Sequence, residues 1–169
     1  MKERRKIVQE KVLDEDGKLD YVKIPNYKLC NFFMSKYEWD FFYFLNGIII
    51  ELNKSSKDIY LDSFPQVAIN RIIEQNNKRE EELEKDIFAK SIDYVIFNRK
   101  TKKILFCIEL DGPEHKTDRN RIERDKMINK AFDCCKLTLH RQEIQEQYDK
   151  EKYKELIIDE INKQKDALF

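Results

Sequence analysis

An α/β domain, a sheet wrapped by helices, is the fold class this sequence predicts, on three observations. A helix-patterned stretch, apolar strands, a helix, a strand and a helix follow one another around what reads as a single sheet. The 169 residues fit one domain with a terminal extension, and they are enough to bury a real core. No internal repeat and no low-complexity linker divides the chain.

Each element has its own warrant. Residues 5–29 read as two short strands around the turn DEDGKLD, giving a hairpin-like N-terminal extension over residues 1–30. From Met34 to about Leu52 the pattern is helical. Ser35 is placed as N-cap and Glu38 as the reciprocal capping-box residue. Phe41, Phe42, Leu45, Ile48, Ile49 and Leu52 recur at helical spacing, so one face is buried. The aromatic residues of this helix are read as core, not as a base-stacking platform. YLDSFPQVAI (60–69) is expected as a strand, or as two extended pieces around Pro65. Residues 71–90 lose the apolar pattern after Ile72 and Ile73 and read as a polar insertion. SIDYVIFN (91–98) and ILFCIELD (104–111) are two strands joined by RKTKK. A basic helix (about 117–133), a short strand (136–141) and a C-terminal helix (about 142–165) complete a domain over 31–169.

Composition narrows the partners. Lys and Arg total 33 and Asp and Glu total 33, so the formal net charge is zero. There is no global attraction to nucleic acid or to an anionic membrane, and any such binding must come from a local patch. Cys30, Cys107, Cys134 and Cys135 form no CxxC pair and no zinc-ligand spacing. They read as reduced, mostly buried thiols of a cytoplasmic protein. MKERRKIVQEK has no apolar region after it and is not a secretory signal. The most apolar run, Trp39–Leu52, is broken by Asp40, Asn46, Gly47 and Glu51, and no membrane association is expected.

The chemistry concentrates in IELDGPEH (108–115), where Glu109, Asp111, Glu114 and His115 close an apolar strand. An antiparallel hairpin about Thr101 pairs Phe97 with Leu105, Val95 with Cys107 and Asp93 with Glu109. Side chains directly opposite lie about 5 Å apart, and like charges there destabilise the sheet. Burying a carboxylate costs more still. These two strands supply no Lys or Arg on that face. A divalent cation between the acids removes the conflict, and an all-oxygen donor set favours Mg²⁺, Mn²⁺ or Ca²⁺ over zinc. A register shifted by one residue also removes it, by sending one acid to solvent.

These residues resemble a known family. An Asp in one strand, a turn, then Glu-x-[acid or Lys] ending the next strand is the core of the PD-(D/E)XK nuclease superfamily. The longer string IELDGPEH…DRNRIERDKMINKAF…CKLTLHR resembles the branch related to the very-short-patch repair endonuclease and small bacterial and phage domains of unassigned role. Ser35-Lys36-Tyr37-Glu38-Trp39 and Phe64-Pro65-Gln66-Val67 match upstream pieces of that branch, so the resemblance covers about residues 33–141. It implies a restriction-endonuclease-like fold, a mixed β-sheet core with flanking helices, and metal-dependent phosphodiester hydrolysis of nucleic acid, DNA first, with Mg²⁺ or Mn²⁺. It carries over Asp93, Glu109 and the backbone carbonyl of Leu110 as metal ligands. Asp111 stands where many members have the catalytic Lys, and joins the metal and catalytic set. His115 is then a general base, or orients water or a phosphate oxygen. Glu38 matches a helix acid that reaches the metal directly or through water.

Between 115 and 141 there are eight Lys/Arg against four Asp/Glu. After a nuclease motif, Lys116, Arg119, Arg121 and Arg124, with Arg141 at the end of the next strand, become candidate phosphate contacts. His140 ends the same strand, Asp125 is placed to hold His115 or an arginine, and Gln66 to reach the site from the neighbouring strand. A homodimer and a protein partner stay open. The competing reading is a catalytically inactive nuclease-like module that binds nucleic acid or a protein in a phage or bacterial-defence system.

Overall fold

The computed structural model describes residues 7–13, 19–25, 30, 32–74, 87–112 and 118–164. The chain forms two compact units, Met1–Met34 and Ser35–Phe169. In the first, β1 (Ile7–Leu13) pairs antiparallel with β2 (Leu19–Pro25), from Ile7 opposite Pro25 to Leu13 opposite Leu19.

The second unit is α/β: among the described residues it has a four-stranded mixed sheet and three α-helices. Its elements are α1 (Lys36–Ser55), β3 (Leu61–Ala68), β4 (Ser91–Asn98), β5 (Ile104–Asp111), α2 (Arg119–Cys134), β6 (Thr138–Glu143) and α3 (Lys150–Lys163). The strands lie in the order β3-β4-β5-β6, antiparallel except for the parallel pair β5/β6. A parallel pair needs a crossover connection, and α2 supplies it.

β3 runs unbroken through Pro65, because β3 is an edge strand and a proline there costs no ladder bond. The C-terminal helix begins at Lys150, not at 142. Residues 142 and 143 belong to β6, and the Asp149 side chain caps α3 by accepting from the N–H groups of Glu151 and Lys152. Most of the polar insertion, residues 75–86, lies outside the described residues.

The sheet is buried on both faces. Val95 of β4 and Cys107 of β5 pack with Ile128 and Phe132 of α2. Alternate residues Tyr94, Ile96, Phe106 and Ile108 are buried too. Phe41 of α1 meets Tyr94 and, from the α3 side, Tyr148 and Tyr153. Not every aromatic of α1 is core: Tyr37, Trp39 and Tyr43 are exposed, and Trp39 stacks on Phe42. Cys107 alone of the four free cysteines is buried; Cys30, Cys134 and Cys135 are exposed. No helix among the described residues is long and apolar enough to cross a membrane.

Candidate active site

Antiparallel pairing brings the start of β4 and the end of β5 to one end of the sheet. Tyr94 lies opposite Ile108 and Val95 opposite Cys107, so one step further sets Asp93 beside Glu109. The shifted register is not adopted here. It does break at the other end, where a bulge between Ile96 and Phe97 sets Phe97 opposite Ile104 instead of Leu105. The extra residue sits near the hairpin turn and leaves the acid end in phase.

The two carboxyl groups are part-buried and hydrogen-bonded to each other. Burial, then the neighbouring Asp93 charge, pushes Glu109 up to about 9. Burial raises Asp93 as well. The geometry says which acid holds the proton. The Leu110 N–H donates to Asp93 Oδ2 at 2.8 Å, and Gln66 Nε2 donates to Asp93 Oδ1 at 2.9 Å. Both Asp93 oxygens therefore accept N–H bonds, Asp93 is the carboxylate, and Glu109 carries the proton.

Glu38 serves two roles at once. Its Oε2 accepts the Ser35 N–H at 2.5 Å while Ser35 Oγ accepts the Glu38 N–H, the capping box expected from sequence. Its Oε1 accepts from Gln66 Nε2 at 2.8 Å, so Glu38 also faces the acid pair across a shared amide. The Tyr94 hydroxyl donates to the Glu38 backbone carbonyl and ties this turn of α1 to β4.

Asp111 stands apart from the pair. Arg141 of β6, the register partner of Glu109, puts Nη1 2.8 Å from Asp111 Oδ1. Its Nη2 lies 3.4 Å from Asp125 Oδ1, and its Nε donates to Asn129 Oδ1 at 3.1 Å. The basic partner missing from β4 and β5 thus comes from a third strand, and the guanidinium expected to meet a phosphate is engaged by two acids and an amide. Asp125 does hold an arginine. Asn129 went unnoticed in the sequence, although its spacing of four from Asp125 sets both on one helix face. His140 turns the other way, toward Glu160 of α3 at 3.1 Å.

Asp93, Glu109, Leu110 and Glu38 line a cleft of about 320 Å³, whose basic members are Lys90, Arg121 and Arg124. The one signal for Lys90 in the sequence is its place just before β4. Arg119 is exposed at the start of α2 and does not line this cleft. His115 and Lys116 lie outside the described residues.

Among the described residues, no group of three or more His, Cys, Asp or Glu side chains gathers to hold a metal by itself. The oxygen pair of Asp93 and Glu109 nonetheless fits Mg²⁺ or Mn²⁺. Mg²⁺ is commonly held by one or two carboxylates, with water and phosphate oxygens completing the shell. A cation would also resolve the conflict that the pair now settles by sharing a proton.

A domain family described as "Protein of unknown function (DUF2726)" matches residues 31–161. No curated protein and no solved structure matches the chain.

Proposed function

We propose a metal-dependent nuclease activity for this chain, which belongs to the DUF2726 family: hydrolysis of phosphodiester bonds in nucleic acid, DNA first. The observation that carries the proposal is the proton-sharing Asp93/Glu109 pair in a cleft also lined by Arg121 and Arg124. Two acids placed against each other in an apolar sheet work against stability, and strongly shifted groups in a cleft mark functional sites. The PD-(D/E)XK resemblance of the same residues supports the reading.

Asp93, Glu109 and the Leu110 carbonyl would hold Mg²⁺ or Mn²⁺. Bound there, the ion lowers the pKa of its water and offsets charge developing on the phosphate. The remaining work falls to the chain's own groups. The Leu110 N–H and Gln66 keep Asp93 ionised and oriented. Glu109 would lose its proton to solvent were a cation bound between it and Asp93. Arg121 and Arg124 attract and seat the phosphate backbone. Arg141 holds Asp111 against Asp125 on α2, so Asp111 would have to exchange that partner before it could help hold a cation. His115 keeps the role of base or water-orienting group that the resemblance gives it. The reading places the protein in the cytoplasm, with or without a second copy of itself.

The test is cleavage of plasmid, single-stranded DNA and RNA with Mg²⁺, Mn²⁺ or EDTA. Metal-dependent cutting by wild type, lost in Asp93→Asn and Glu109→Ala, is the expected result. Cutting that persists in Glu109→Ala contradicts the assignment. The absence of a Lys at position 111 and the zero net charge favour a second reading, the inactive nuclease-like module that binds nucleic acid or a protein. That module would show binding without turnover and no tight Mn²⁺ site.

A further inference from the structure

Gln66 sits in the interior of β3 with φ 53°, in the left-handed region that a residue with a Cβ seldom adopts. The ladder continues on both sides of it, with Pro65 opposite Tyr94 and Val67 opposite Ile92, while Gln66 itself is left out. Nothing about strand pairing asks for this. What the twist accomplishes is local. It aims the amide at the acid cleft, where Nε2 donates to Glu38 Oε1 at 2.8 Å and to Asp93 Oδ1 at 2.9 Å. The Ser91 hydroxyl, at the head of β4, donates to Gln66 Oε1 at 2.9 Å. That bond fixes which way the amide points, because a flipped amide would set its oxygen against two carboxylates.

We propose that Gln66 is the positioning residue of this site: one amide that sets the spacing of Glu38 and Asp93 and holds both with their free lone pairs turned to the incoming cation. The proposal rests on the metal-dependent reading above. The two acids come from different elements, the first turn of α1 and the first residues of β4, and Gln66 is their shared hydrogen-bond partner. Backbone strain kept at one residue is accounted for when that residue orders a site. Groups that hydrogen-bond metal ligands change metal affinity about 10- to 100-fold when removed.

Two substitutions separate positioning from packing. Gln66→Gly removes the amide and relieves the left-handed strain. Gln66→Met keeps length and strain but has no N–H. The full-length chain is titrated with Mn²⁺ by calorimetry, and its thermal midpoint is recorded without metal, beside Glu109→Ala as a control. The expected result is Mn²⁺ affinity lowered about 10- to 100-fold in both Gln66 variants. The midpoint falls only in Gln66→Met and is kept or raised in Gln66→Gly. A purely structural role makes affinity follow the midpoint instead. Wild-type affinity in Gln66→Gly, alongside lost binding in Glu109→Ala, overturns this role and leaves the nuclease reading standing. Wild-type affinity in Glu109→Ala, or no Mn²⁺ binding by the wild type, overturns both.

Discussion

Two glutamates of this domain sit in low-dielectric surroundings, and they are treated in opposite ways. Glu160 of α3 is 1% exposed and meets Lys163 Nζ at 2.8 Å, His140 Nε2 at 3.1 Å and the Thr138 hydroxyl at 3.3 Å. Its oxygens have donors, two of them from groups that carry or can carry positive charge. Glu109, on the opposite side of β6, meets another acid. The Arg141 charge lowers its pKa only partly and is itself taken up by Asp111 and Asp125. The chain can neutralise a buried acid and does so at Glu160. At Glu109 it leaves the charge to a proton, which a cation can replace. Under the proposed function, that contrast is what distinguishes Glu109 from a structural acid such as Glu160.

The comparison breaks most visibly in activity. Glu109→Gln should lower cleavage by more than about 100-fold, since losing even an outer-shell partner costs about 10- to 100-fold. The same substitution removes the acid conflict and should raise the metal-free thermal midpoint at pH 8. A Gln variant that cuts normally, or that loses stability there, goes against the contrast.

Glu160→Gln should do the reverse. It leaves His140 and Lys163 without their acid and should cost about 1–3 kcal/mol by urea denaturation, with Mn²⁺ affinity unchanged. The figure stays modest because Lys163 is largely exposed and its pair is screened.

pH gives the third effect. Glu109 has a folded pKa of about 9, raised from 4.5. The folded state therefore holds more protons than the unfolded one between those values. The stability from this group is fully present below 4.5 and is lost as pH rises toward 9. Metal-free protein should lose at most about 1.4 kcal/mol per pH unit across that window from this one proton. Saturating Mn²⁺ should flatten the loss, since the cation replaces the proton. Denaturation curves at pH 6, 7 and 8, with and without Mn²⁺, read it directly.

The smallest effect concerns Arg141. Arg141→Gln removes the charge shared by Asp111 and Asp125, and should cost about 1–2 kcal/mol. It should also weaken Mn²⁺ binding near neutral pH, because Glu109 loses the Arg141 charge that eases its ionisation. Unchanged affinity would confine Arg141 to a structural role.

Much of the site was legible because period-two alternation and a short hairpin turn leave few registers. Val95 against Cys107 sets the phase, and Asp93 and Glu109 follow from it. The capping box was legible because both of its bonds lie within four residues. The rest depends on tertiary geometry. Leu105 is swallowed by a bulge that leaves no mark in the alternation. The C-terminal helix start slipped because Gln142 and Glu143 suit a helix as well as the strand end they form. Sequence placed Arg141 near the acids, but it could not show that Asp125 and Asn129, one turn apart on α2, would take its guanidinium. Helical spacing marked the buried face of α1, yet aromatic residues also fall on its open face. Gln66 was singled out, but its left-handed backbone belongs to the folded sheet alone.

The most direct measurement is calorimetric Mn²⁺ binding at pH 7.5, repeated in buffers of different ionisation enthalpy to count protons. Burial and the Asp93 charge raise Glu109 to about 9, so at that pH binding should release about one proton per ion, and Glu109→Gln should release none. Binding with no proton release, or identical release from Glu109→Gln, would contradict the claim that a cation replaces the proton between Asp93 and Glu109.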